Sequence, residues 1–445
     1  MVTLTEPRRP PSRSWRAPTG RGRPTLPVWP IAGMFLPFML WWVLGLGDMI
    51  WPLFVVPMVY HLLRLGEVRA PRGFGLWLLF MGWVCASVVE IDTSSRLLGF
   101  IFRLSLYAGA TVTFVYVYNC DNRNLNIGRI AAILTVFWLF VVLGGYLGLA
   151  FPHASINTPM SHLVPKSLQT NELVRAMIRP SFTQGDPNGY FHLALRPAAP
   201  FTYTNDWGTN FSLLLPFVFI TLAKMRKGLR FWMLAVAVPF SLVPAYLTQN
   251  RGMLLALGLG ITYVTLRLIL RGNASGLVLM ILFALIAGGL GSVIGVQSLI
   301  EHRVGLSNTN ATRLAVYDES FSRTLQSPIL GYGAPRPSVQ TTGAPSVGTQ
   351  GQFWLVLFSQ GFVGVSLFML WFLLLCLRSA RAPSTALLWL HAVLLMMTLE
   401  SLYSGMMGSA LIVAMIAGAV CLRPTESPRS PSGHSQGLLP LEVAG

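Results

Sequence analysis

Runs of 17 or more mostly apolar residues recur along this chain from Leu26 to Leu422, separated by short polar connections. No polar stretch between them is long enough to fold as a separate domain. A hydrocarbon core about 30 Å thick needs about 20 apolar residues per helix. Windows of that size place about twelve transmembrane helices, centred near Phe38, Pro57, Met81, Gly109, Phe140, Pro216, Val238, Gly260, Ala284, Ser366, Leu394 and Ile412. The pattern predicts an all-α integral membrane protein with one polytopic domain over residues 26–422. The flanking segments 1–25 and 423–445 have the Pro-, Ser- and Arg-rich composition of disordered tails.

Two connections break the rhythm, residues 153–208 and 297–352, each far longer than an ordinary loop. The second predicts a helix over Thr309 to Gln326, opened by Asn308 or Asn310 and closed by Ser327-Pro328. Leu314, Tyr317, Phe321 and Leu325 recur on one face of it at intervals of three and four. This helix is expected on the outer membrane surface or against the bundle. The first loop predicts a shorter helix around Leu168 to Ile178.

Only 11% of the residues are charged, less than half the share in a soluble domain, which excludes an ordinary soluble enzyme. The net charge of +17 would suggest nucleic-acid binding if read as a bulk number, but its distribution excludes that. Of the 32 Lys and Arg, 21 fall in the two tails and in the connections Arg64 to Arg72, Arg123 to Arg129, Lys224 to Arg230, Arg267 to Arg271 and Arg378 to Arg381. All of these lie on one side of an even-span topology, so the positive-inside rule puts both termini in the cytoplasm and both long loops outside a bacterial-type inner membrane. Cys85, Cys120, Cys376 and Cys421 show no metal spacing, and neither disulfides nor a structural zinc are expected.

The remaining basic residues carry the chemistry, because the same rule predicts few near outer helix ends. Arg251, in Thr248-Gln249-Asn250-Arg251-Gly252, opens the eighth span at its outer start. Free N–H groups, the positive end of the helix dipole and a guanidinium together make an anion site there. The alternative is an interfacial arginine pairing with lipid phosphate. Arg103 lies about two turns inside the fourth span, where a charge requires a partner or an aqueous cavity. A structural ion pair with Asp48, Glu90, Asp92 or Glu400 is the expected role. Arg313 stands one turn from Tyr317 on the loop helix, and Arg196 lies late in the first outer loop. No phosphate-cradling Gly-rich loop, paired-aspartate metal motif, metal-ligand histidine pair or Gly-x-Ser-x-Gly elbow is present. Arginine rather than metal is therefore expected to neutralise any leaving-group charge, and no cofactor is expected.

Together these residues form a pattern that resembles the O-antigen ligase and O-antigen polymerase superfamily. The pieces that carry the resemblance are Asn250-Arg251-Gly252, Ala311-Thr312-Arg313, Ser327-Pro328-Ile329-Leu330-Gly331-Tyr332-Gly333, and Gln350 through Gln360-Gly361-Phe362-Val363-Gly364. Phe201 through Gly208 resembles the family's Pro-Asn-containing segment in diverged form. The resemblance covers roughly residues 190–380, and the first half matches only in hydropathy.

What it implies is a metal-independent inverting glycosyltransferase of GT-C-like architecture. Such an enzyme moves a glycan from an undecaprenyl-diphosphate donor to a glycan or lipid acceptor at the outer face. Arg251 and Arg313 would hold the diphosphate, with Arg196 and Arg103 as further candidates. One departure stands out, since the family's His-Asn pair is replaced by Thr349-Gln350-Gly351-Gln352, with Gln350 in the histidine's place. An amide orients a hydroxyl but does not accept its proton. Either another residue serves as base, with Asp318, Glu319, Asp206 and His192 the loop candidates, or the diphosphate leaving group itself assists, or this branch does different chemistry. Two other classes share part of the pattern: a transporter or lipid-glycan flippase, and a different lipid-phosphosugar-dependent GT-C glycosyltransferase.

Overall fold

In the computed structural model the described residues are 25–185, 195–273, isolated positions between 278 and 289, 309–339 and 346–424. Most of the expected ninth span around Ala284, His192, and nearly all of both tails lie outside them. The described chain is almost wholly helical. In order the helices are α1 (Trp29–Phe35), α2 (Phe38–Leu44), α3 (Ile50–Leu53), α4 (Val55–Leu65), α5 (Phe74–Ala86), α6 (Ser94–Asn119) and α7 (Ile127–Ala150). The first long loop holds α8 (Met160–Leu163), α9 (Lys166–Gln169) and α10 (Glu172–Ile178), and its strands β1 (Thr183–Gln184) and β2 (Arg196–Pro197) pair antiparallel. Then follow α11 (Thr204–Lys224), α12 (Leu229–Leu247), α13 (Arg251–Ile269), α14 (Thr309–Thr324), α15 (Gln352–Ser379), α16 (Thr385–Glu400) and α17 (Ser409–Leu422).

Six described helices, α6, α7, α11, α12, α13 and α15, are long and apolar enough to cross a membrane. Four further apolar stretches, Ile50–Leu65, Phe74–Glu90, Thr385–Glu400 and Ser409–Leu422, are shorter. The predicted first span divides at Pro37 into α1 and α2, because proline has no N–H to continue the ladder. The predicted Leu168 to Ile178 helix is likewise two short pieces, α9 and α10.

Close helix contacts follow from small residues and flat aromatic faces. The α7 glycines Gly144, Gly145 and Gly148 meet Ala199, Trp207 and Phe182, leaving no room for a Cβ. Trp207 stacks on Phe211 at 5.1 Å and donates its indole N–H to the Val141 carbonyl at 2.8 Å. That pins α11 to α7. The last helix, α17, is buried on nearly every side and packs on α6, α11, α15 and α16. Its 14 residues rise only about 21 Å, so it serves as the central post of the bundle. Leu78 and Leu79 on α5 and Val236 and Phe240 on α12 point outward, as lipid-facing positions do.

The second long loop enters the bundle. Ser327 to Gly333 wedges against α15 at Gly361, where that helix breaks with a φ of +67°. A Cβ on Gly361 would lie 2.4 Å from the Ile329 carbonyl, and one on Gly331 would lie 2.6 Å from the Gly361 nitrogen. Trp83 of α5 seals the wedge by donating to the carbonyls of Ile329 and Gln360, each at 3.1 Å. The two glycine-bearing motifs of the sequence are thus two halves of one contact.

Candidate functional site

The helix starts of α13 and α15 and the turn after α16 meet at one junction. Gln352, the first residue of α15, is fully buried, donates its amide to the Tyr107 hydroxyl at 2.7 Å and accepts from the Met406 N–H at 3.1 Å. Trp354 donates to the Leu402 carbonyl at 3.0 Å. Tyr403 donates its hydroxyl to the Gly252 carbonyl at 2.9 Å, and its ring fills the space a Cβ on Gly252 would need. The turn from Ser401 to Met406 therefore ties α6, α13, α15 and α16 together.

Three of the four basic residues singled out by sequence each lie within one helical turn of a residue that bonds or stacks at this junction. Arg251 is the first residue of α13, whose N-cap Asn250 accepts from the Met253 N–H at 3.1 Å. Its side chain is exposed, and its neighbour Gly252 lies against Tyr403. Arg313 stands one turn before Tyr317, whose ring stacks on Trp354 at 4.3 Å with an 11° interplanar angle. Arg103 is one turn from Tyr107, the partner of Gln352. Neither Arg251 nor Arg313 forms an ion pair among the described residues. Arg196, on β2, lies apart: β2 packs on α7, α11 and α12.

The ion pair expected for Arg103 is not formed among the described residues, and its buried Nη1 has no hydrogen-bond partner. Three of the four acids expected to pair with it, all but Glu90, are engaged elsewhere. Asp92 binds Arg96 and also accepts from Arg336 at 2.9 Å, and the Arg96 hydrogen bond holds its carboxyl below the usual carboxylate range. Glu400 is buried against Ser212, whose hydroxyl donates to it at 2.5 Å. Asp48 accepts from Thr202 at 3.2 Å and lies close enough to Asp206 for the two charges to repel.

Gln350 is half-buried at the centre. Its backbone carbonyl accepts from the Tyr317 hydroxyl at 3.0 Å, while its side-chain amide makes no hydrogen bond among the described residues. Of the alternative bases, Glu319 is buried and consumed by Arg323 at 2.9 Å, the Ser338 hydroxyl at 2.5 Å and the Val339 N–H at 2.9 Å. Asp206 sits with Asp48 at the start of α11. Asp318 is exposed on α14, about 100° round the helix from Tyr317. Among the described residues no group of three or more His, Cys, Asp or Glu could hold a metal ion.

Sequence reasoning passed over Gln352, Tyr107, Trp354 and Tyr403, which build the junction. Only Gln352 carried a signal, as a polar residue placed where an apolar span begins. No known family profile and no curated protein matches the chain.

Proposed function

We propose that the protein is a membrane glycosyltransferase of the O-antigen ligase and polymerase type, with about twelve spans and GT-C-like architecture. It takes a glycan from an undecaprenyl-diphosphate-linked donor at the outer face of the cytoplasmic membrane and passes it to a glycan or lipid acceptor. The observation that carries this reading is that Arg103, Arg251 and Arg313, none of them ion-paired among the described residues, each stand within one helical turn of a residue of the junction beside Gln350. Three guanidinium groups from three separate elements suit a diphosphate, which carries its charge on several oxygens and takes planar, paired hydrogen bonds.

In this reading the α13 N-terminus and Arg251 receive one phosphate, Arg313 and Arg103 hold the rest, and the spread charge stabilises the departing diphosphate. Water is excluded by the Tyr317–Trp354 stack. The free amide of Gln350 orients the acceptor hydroxyl, and proton removal falls to Asp318 or to the leaving diphosphate itself. A test is transfer from a lipid-diphosphate oligosaccharide by Arg251→Ala and Arg313→Ala proteins of normal folding. Each is expected to lose roughly 30- to 1000-fold in rate, corresponding to about 2–4 kcal/mol of transition-state stabilisation. Lys at either position should restore only part of it. Near-normal transfer by Arg251→Ala would leave that residue as a lipid-headgroup contact.

A flippase is the second reading, and the break in α15 at Gly361 is the feature that favours it, since carriers place ligands at interrupted helices. It predicts movement of the lipid-linked glycan across the bilayer with no new glycosidic bond.

A further inference from the structure

Helix α14 buries three polar side chains and, with the turn that follows it, exposes four large apolar ones. Glu319, Ser320 and Thr324 are at most 1% exposed, whereas Leu314, Phe321, Leu325 and the following Ile329 are 65, 47, 57 and 59% exposed. A helix washed by water has the opposite arrangement. The buried face is locked in place by the bonds from Glu319 to Arg323, Ser338 and Val339, so it does not roll over to hide the apolar row.

Contacts along α15 set the depth of this row. Tyr317 meets Trp354 near the start of α15, and Phe321 meets Phe362 with ring centroids 5.9 Å apart, eight residues and about 12 Å further down. The axis of α14 therefore descends beside α15. Ile329 reaches the level of Gly361, which is about 25 Å along α15 from Arg378, the basic residue of its last turn. Measured from that inner charge, 25 Å is still inside a hydrocarbon core of about 30 Å. The row ends beside α5, where the Ile329 carbonyl accepts from Trp83, and the same helix exposes Leu78 and Leu79 about one turn away. The charges on α14's exposed flank, Arg313 and Asp318, come before Phe321 and thus stand higher.

From these observations we propose that α14 is a half-inserted helix whose Phe321–Leu325–Ile329 row is covered by hydrocarbon chains of outer-leaflet lipids, with the lipid–water boundary between Asp318 and Phe321. The connection that hydropathy assigns to the outside is then seated in the membrane by its own helix. Because Arg313 and Tyr317 ride on the upper part of that helix, the seat fixes their height at the headgroup layer.

The test needs no enzymatic readout, so it stands or fails apart from the proposed function. Single cysteines at Asp318, Phe321, Leu325 and Ile329, in a full-length protein whose four native cysteines are replaced by alanine, are labelled with bimane in phosphatidylcholine vesicles. Phe321→Cys, Leu325→Cys and Ile329→Cys are expected to lose fluorescence to a nitroxide on the acyl chain and to resist aqueous iodide, with the order reversed at Asp318→Cys. Iodide quenching at Leu325→Cys and Ile329→Cys without acyl-chain quenching overturns the proposal. The unsubstituted protein gives a second measurement, in which a phospholipid with a diazirine in its acyl chain is photolysed and the adducts are mapped by mass spectrometry. Adducts are expected within residues 321–329 as well as at the outward α12 residues around Phe240. Labelling at Phe240 with none in 321–329 also overturns it.

Discussion

Gln352 illustrates how much one buried amide holds at the junction of α6, α13, α15 and α16. Replacing it with alanine leaves the Met406 N–H and the Tyr107 hydroxyl unpaired in a dry site, at about 1–3 kcal/mol each. Gln352→Ala should therefore lower the thermal unfolding midpoint clearly in detergent, while Gln350→Ala should leave it unchanged and slow turnover. Equal midpoints for Gln352→Ala and wild type would refute the structural role. The difference between the two glutamines could not be read from the string Thr349-Gln350-Gly351-Gln352, because burial is decided by Tyr107 and Met406, which are distant in sequence. Gly361 and Gly331 behave alike in this respect: spacing marked both as unusual, but only their mutual contact explains why neither has room for a Cβ. Alanine at either should open the wedge and destabilise the fold, and a gain in stability would contradict that packing.

At the scale of elements, the wedge is fastened beyond Gly331 by a charged clamp. Arg96 at the start of α6 donates to the carbonyls of Tyr332 and Ala334 at 2.6 and 2.7 Å and binds Asp92, which Arg336 also reaches. Because Asp92 has a lowered pKa in the folded protein, its contribution to stability is fully present above the ordinary carboxylate value of about 3.9 and is lost as pH falls through the lowered one. Proteolysis within residues 334–348 should accordingly increase below about pH 4, and Asp92→Asn should show the faster cleavage already at neutral pH. Acid-insensitive cleavage in both would remove the clamp from the account. Helix α14 was legible in sequence almost to the residue, since its 3.6-residue period and the Ser327-Pro328 stop are local signals. Which face it would bury was not, because that is settled by Glu319, whose partners Arg323, Ser338 and Val339 hold the polar side inward.

For the whole molecule, hydropathy made the membrane class plain, and the long helices α6, α7, α11, α12, α13 and α15 fall where their windows predicted. It could not tell the long helices from short ones such as α17, because both are uniformly apolar. Nor could it show that residues as far apart as Tyr107, Gly252, Gln352 and Tyr403 share one junction, since that depends on the turn after α16. The topology predicts that cysteines placed at exposed Ser181 and Val339 react with an impermeant reagent in intact cells; reaction only after permeabilisation would invert it. The most direct test of the proposed activity is to incubate the purified, folded protein with a lipid-diphosphate oligosaccharide and an acceptor glycan in the presence of a metal chelator. The account predicts chelator-resistant formation of a new glycosidic bond with release of the lipid diphosphate. Transbilayer movement of the lipid-linked glycan with no bond formed would contradict it.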